Sequence, residues 1–119
     1  MKMKVLKIYH NRPLPYVSEI ENDLSAFQEF VGGYIEVFHI GVFTNDNVAL
    51  ILDEEGKLKG KTASVLLYSK RKPVDAICGD FIVCGIDDDG DFCSLTDEQV
   101  EKYTKMLTSF VVELDKFSC

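Results

Sequence analysis

Glu55-Gly56-Lys57-Leu58-Lys59-Gly60-Lys61-Thr62 comes close to spelling a phosphate-binding loop. Such a loop needs Gly, four residues, then Gly-Lys-Ser/Thr, so that its N–H groups curl round a phosphate. The first glycine position holds Glu55, whose carboxylate repels phosphate, and Gly56 stands one residue too close to Gly60. The spacing therefore argues against a nucleotide hydrolase. Asp87-Asp88-Asp89-Gly90-Asp91 invites calcium. With Gly90 at the sixth position of a calcium loop, the first position is Gly85 and the twelfth Thr96, where Asp and Glu are needed. A solvated turn leading into a helix is the expectation there. His10 and His39 have no motif-spaced Ser, Cys or acid that would mark a triad or metal site. His39 is expected to be packed or hydrogen-bonded in a strand, and His10 to sit at a turn. Cys78, Cys84, Cys93 and Cys119 contain no Cys-x-x-Cys pair, which argues against zinc or dithiol redox chemistry. They read as reduced thiols, with Cys78 and Cys84 acting as small hydrophobes in or beside a strand.

The charge pattern is more informative. Residues 57–72 hold six basic side chains (Lys57, Lys59, Lys61, Lys70, Arg71, Lys72) and no acid. The rest of the chain carries 7 basic residues against 20 acidic ones. A local cationic patch on an acidic body is a candidate anion site, binding by field and loop geometry. The competing reading is a solvated lysine face that balances nearby acids. The net charge of -7 argues against duplex nucleic acid, which needs an excess of Lys and Arg.

The elements that must position these residues fit one domain over residues 1–119. Apolar types at 46% and charged types at 28% describe an ordinary globular chain with enough core to fold without staples. Charges interrupt every apolar run before membrane-spanning length. The start, Met1-Lys2-Met3-Lys4-Val5-Leu6-Lys7, has no apolar stretch of a signal peptide, so a cytoplasmic location is expected.

Residues 5–9 and 16–20 read as a hairpin around a His10-Asn11-Arg12-Pro13-Leu14-Pro15 turn. Leu24, Phe27, Phe30 and Val31 recur at helical spacing, with Asn22 as the expected cap and Gly32-Gly33 as the stop. Residues 34–40, 48–52 and 81–86 read as strands. The apolar run at 48–52 implies cover on both faces. Residues 62–69 are expected to hold a short helix. Thr96 and Gln99 form a capping box, stapled by Leu95 and Val100. The stripe Val100, Tyr103, Leu107, Phe110, Val111, Leu114 then predicts a long final helix. The fold class is α+β: a mixed, mainly antiparallel sheet of about five strands, with two main helices packed on it and one short helix.

Four blocks in chain order carry a resemblance: residues 24–36, 48–51 with 53–58, 79–85 and 91–103. Their signatures are Phe30-Val31-Gly32-Gly33-Tyr34, Asp53-Glu54-Glu55-Gly56-Lys57-Leu58, Gly79-Asp80-Phe81 and Leu95-Thr96-Asp97-Glu98-Gln99. Together they resemble the family called domain of unknown function 3846. The resemblance implies a small cytoplasmic protein of bacteriophages and mobile elements, with no catalytic residues to carry over. Gly60-Lys61-Thr62 departs from the family's usual stretch, which weakens the phosphate-loop reading further.

The resulting expectation is a non-catalytic accessory binding protein, with counter-defence as its setting. It would sequester an anionic small molecule such as a signalling nucleotide near Lys57, Lys59, Lys61, Lys70, Arg71 and Lys72, with a homo-oligomer interface as one place for the site. The alternative is a protein-interaction module that binds and inhibits a host protein through an exposed strand or the acidic face. No cofactor, metal, membrane or duplex nucleic acid is implied.

Overall fold

The computed structural model describes residues 1–12 and 14–117. Pro13 of the expected turn and Cys119 of the expected thiols lie outside the described residues. Six antiparallel strands make the central sheet: β1 (Lys2–Ile8), β2 (Tyr16–Glu21), β3 (Ile35–Phe38), β4 (Val48–Asp53), β7 (Phe81–Ile86) and the short β8 (Phe92–Cys93). Their order is β2-β1-β7-β4-β3, with β8 paired to β7. A second sheet holds β5 (Ala63–Ser69), β6 (Lys72–Cys78) and β9 (Val111–Glu113) in the order β6-β5-β9. Helix α1 spans Leu24–Val31, α2 Gly41–Thr44 and α3 Asp97–Met106. The α+β class and the mainly antiparallel sheet are as the sequence predicts. No helix among the described residues is long and apolar enough to cross a membrane.

Side-chain alternation explains the layers. Successive residues of a strand face opposite ways. On β1, Leu6 and Ile8 join one core cluster while Met3 and Val5 join another. On β7, Phe81 and Val83 divide from Ile82 and Cys84 in the same manner. The first cluster also takes Val65, Leu67 and Ile77 of the second sheet and Tyr103 and Met106 of α3. The second takes Phe27 of α1. The central sheet is therefore covered on both sides, and every residue of β4 is buried, as its unbroken apolar run requires.

Asp23, not Asn22, caps α1: its Oδ1 accepts the Ala26 N–H at 2.7 Å. Asn22 donates instead to the Phe92 carbonyl at 2.9 Å. Gly32, at φ +82°, ends the helix as expected. The capping box of α3 forms in both directions, at 3.1 Å and 2.9 Å.

Two secondary-structure expectations are overturned. Residues 62–69 are not a short helix; Ala63–Ser69 is β5, with Val65 and Leu67 buried at period two and paired to β6. The short helix lies at Gly41–Thr44. The final helix is also shorter than its stripe, because it ends at Met106. Beyond it Val111 is about half exposed and Val112 buried, the change of face expected of β9, which pairs parallel with β5.

The β5–β6 turn is made by Lys70 and Arg71, at φ +52° and +64°. A two-residue hairpin of this form favours Asn-Gly, because a side chain at positive φ is strained. Asp115 offsets part of that strain by accepting the Lys70 N–H at 2.6 Å and the Ser69 hydroxyl at 2.8 Å. The Lys70→Asn/Arg71→Gly variant is expected to gain about 1 kcal/mol of stability, read as a higher urea midpoint at unchanged slope.

Candidate functional site

The basic stretch divides into two groups. Lys57, Lys59 and Lys61 lie on the β4–β5 loop, and Lys70, Arg71 and Lys72 lie at the β5–β6 turn. Seven residues of β5 separate them, about 20 Å of extended chain. Among the described residues, the hollows that take in Lys59 and Lys61 reach none of Lys70, Arg71 or Lys72.

The first group is occupied with holding the fold. Lys57 pairs with Asp75, and this hydrogen bond holds its ammonium above the usual lysine range. Lys59 and Lys61 converge on Asp53, at 2.9 Å and 2.6 Å from Oδ2. The same ammonium groups reach the end of α1: Lys59 donates to the Gly32 carbonyl at 3.0 Å and Lys61 to the Val31 carbonyl at 2.7 Å. Cations belong there, because the last carbonyls of a helix carry its negative dipole end. The Asp53 side chain is fully buried at the end of β4. Burial by itself would push its pKa up. Hydrogen bonds from Lys61, Lys59 and the Glu55 N–H, with the charge of Lys61, outweigh it and lower the carboxyl from 3.8 to about 2. Gly33 permits the cluster, since a Cβ there would collide with the Lys59 ammonium and lie 2.8 Å from Asp53 Oδ1.

A groove lies beside this cluster. Two hollows, of about 410 and 480 Å³, share His10 as a wall and follow the consecutive residues Thr62, Ala63 and Ser64 at the start of β5. Arg12, Tyr9 and Phe110 line one end; Lys59, Lys61 and Phe30 line the other. His10 is held by Asp80, whose Oδ1 accepts the His10 backbone N–H at 2.9 Å and meets ring Nδ1 at 2.8 Å. An ionised carboxylate can only accept, so Nδ1 carries the proton and Nε2 is the ring atom left to act. The Arg12 guanidinium stacks over Tyr9 at 5.2 Å and Tyr16 at 5.7 Å. Lys7 stands 5.3 Å from the centre of the Phe30 ring, which packs edge-on against Tyr9 at 5.4 Å. Tyr9 and Phe110 thus stand with Arg12 in one hollow, and Phe30 with Lys59 and Lys61 in the other.

Sequence spacing missed this site. His10 finds its acid 70 residues away, beyond any motif, and Arg12 is a single cation within a turn. The available signal was Tyr9-His10-Asn11-Arg12 itself, chemistry-bearing types crowded into a hairpin connection.

The other candidates resolve simply. Thr62 leads into β5 and not a helix, so the loop before it lacks the helix N-terminus that cradles phosphate. Asp87, Asp89 and Asp91 bring carboxylate oxygens within 4.8 Å of one another on the surface. Asp87 Oδ1 already accepts the N–H groups of Asp89 and Asp91, both at 2.9 Å, as a solvated turn would. His39 lies just past β3 and is exposed, not packed within a strand. Cys78, Cys84 and Cys93 are free thiols; burial, then the neighbouring Cys93, pushes Cys84 up to about 12, so it serves as a hydrophobe.

A family model described as "Domain of unknown function (DUF3846)" matches residues 3–108. No curated protein matches the chain, and no solved structure matches it.

Proposed function

The chain belongs to the domain of unknown function family DUF3846, and we propose that it is a non-catalytic binding module that holds an anionic small molecule of the nucleotide class in the groove at His10. One observation carries the reading. In a chain of net charge -7, two hollows that share His10 place Arg12 in one and Lys59, Lys61 and Asp80 in the other, with Asp53 holding both lysines. Two other hollows lack that excess: one pairs Glu98 and Glu101 with Lys102 and Lys105, and one sets Glu29 and Glu55 against Lys59. Tyr9, Phe30 and Phe110 offer flat apolar walls beside the cations, which suits a base or sugar joined to phosphate. Binding is favoured over catalysis because the Ser64 hydroxyl, on the groove wall with His10, is committed to the Gly79 carbonyl at 2.5 Å. The phage or mobile-element setting, the host cytoplasm and a counter-defence role belong to this proposal.

Isothermal titration with cyclic dinucleotides, cyclic mononucleotides and ADP-ribose tests it. Arg12→Glu is the informative variant, because Lys59 and Lys61 also hold Asp53 and their reversal would disturb the fold. One panel member is expected to bind, and Arg12→Glu to weaken it by about tenfold or more. No heat from any member, or full affinity in Arg12→Glu, overturns the reading.

A further inference from the structure

We propose that the Lys70-Arg71-Lys72 hairpin tip is a docking point for an acidic segment of a partner protein. The tip stands apart from the groove, at the far end of β5. Lys70, Arg71, Lys72 and the following Pro73 are all exposed. None of the three cationic side chains forms an ion pair with a described residue. The first group of lysines differs on this point, since Lys57, Lys59 and Lys61 are each matched to an acid.

The backbone adds an independent observation. Lys70 and Arg71 both occupy the left-handed region, where long side chains are disfavoured and Asn-Gly would fit. Asp115, held low first by the Lys70 N–H, then by Ser69, Glu113 and the Lys70 charge, braces the turn. It contributes one acid behind the tip, with Glu113 beside it and Lys116 adding a cation. Strain kept in place at an exposed, charged position points to use of those side chains.

The chemistry of the partner follows from the range of the field. Outside the tip the chain carries 10 basic residues against 20 acidic ones. A nucleic-acid strand would extend its charge across that acidic body and be repelled. A short cluster of carboxylates on a protein would meet only the tip, because charges beyond about 8 Å are screened at physiological salt. An acidic protein segment is therefore the complement.

The test uses the full chain and a fluorescent peptide of alternating Asp and Glu, followed by anisotropy at low and at physiological ionic strength. Lys70→Asn/Arg71→Gly keeps the turn and removes two charges. Lys2→Gln/Lys105→Gln removes two charges elsewhere. The tip variant is expected to lose about tenfold in affinity, and the control less than about twofold. Equal losses in both variants, or no binding by the unaltered chain at low salt, overturn the proposal. So does tighter binding of an oligothymidylate of matched charge that fails in the tip variant, which would assign the tip to nucleic acid. Arg12→Glu is expected to leave peptide binding intact, so this surface and the groove can fail separately.

Discussion

Replacing Lys59 and Lys61 together by methionine is expected to destabilise the fold by about 3–5 kcal/mol at neutral pH. The cost arises at Asp53. Its carboxylate is fully buried and receives both ammonium groups, so their loss leaves a buried charge without a counter-ion. The Val31 and Gly32 carbonyls lose their donors at the same time. Adding Asp53→Asn to the double variant is expected to recover part of the loss, and the two-fold cycle isolates the coupling. The pH dependence separates this account from a general packing defect. In the unaltered chain the Asp53 pKa is lowered from 3.8 to about 2. Its contribution, about 2 kcal/mol, is full above pH 3.8 and is lost as pH falls through 2. In the lysine-free variant burial acts unopposed by those cations and raises the same pKa. The Asp53 contribution then reverses sign, and acidification relieves the penalty. Urea unfolding followed from neutral pH down to about pH 2 reads both slopes. A variant whose loss is the same at every pH would show that Asp53 is not its source.

Tyr103→Ala is expected to cost about 3–5 kcal/mol, and Tyr103→Phe only about 1 kcal/mol. Tyr103 is the largest fully buried side chain, and it ties α3 into the cluster between the two sheets. Truncation to Ala opens a cavity there that rigid strands cannot close. Phe keeps the ring and removes the hydroxyl, which lies 2.7 Å from Thr44 Oγ1. The loss stays modest because Thr44 can still donate to the Ile40 carbonyl at 3.3 Å. Thermal melts of both variants, with Thr44→Val as a third, measure the split. Equal losses for Ala and Phe would place the energy in the hydroxyl network instead of the packing.

The sequence disclosed those elements whose local rules and tertiary setting agree. The β1–β2 hairpin, α1, β4, β7 and the start of α3 each follow from period, cap or apolar run. The second sheet was hidden for two physical reasons. Its hairpin turns on Lys70-Arg71, residues that carry no turn signal, and Asp115 supplies the bracing from far along the chain. Its third strand is masked because Leu107, Phe110, Val111 and Leu114 fall at helical spacing, although Val112 is the buried residue of the strand. At the site, the lysines were legible as charge. Their partner Asp53 was not, because an acid beside a turn gives no sign that it will be buried. His10 and Asp80 meet only through the pairing of Ile8 with Phe81, which sets their two loops side by side.

That pairing of β1 with β7 has a consequence for how the molecule is made. Leu6 sits opposite Val83, and Leu66 opposite Val111, so neither sheet can close until β7 and β9 have left the ribosome. The early hairpin must wait with Val5 and Leu6 uncovered, at risk of capture by chaperones or by its own kind. Nascent chains that stall before β7 would then carry an open apolar flank, and yield in cells would depend on translation speed as much as on the stability of the finished molecule.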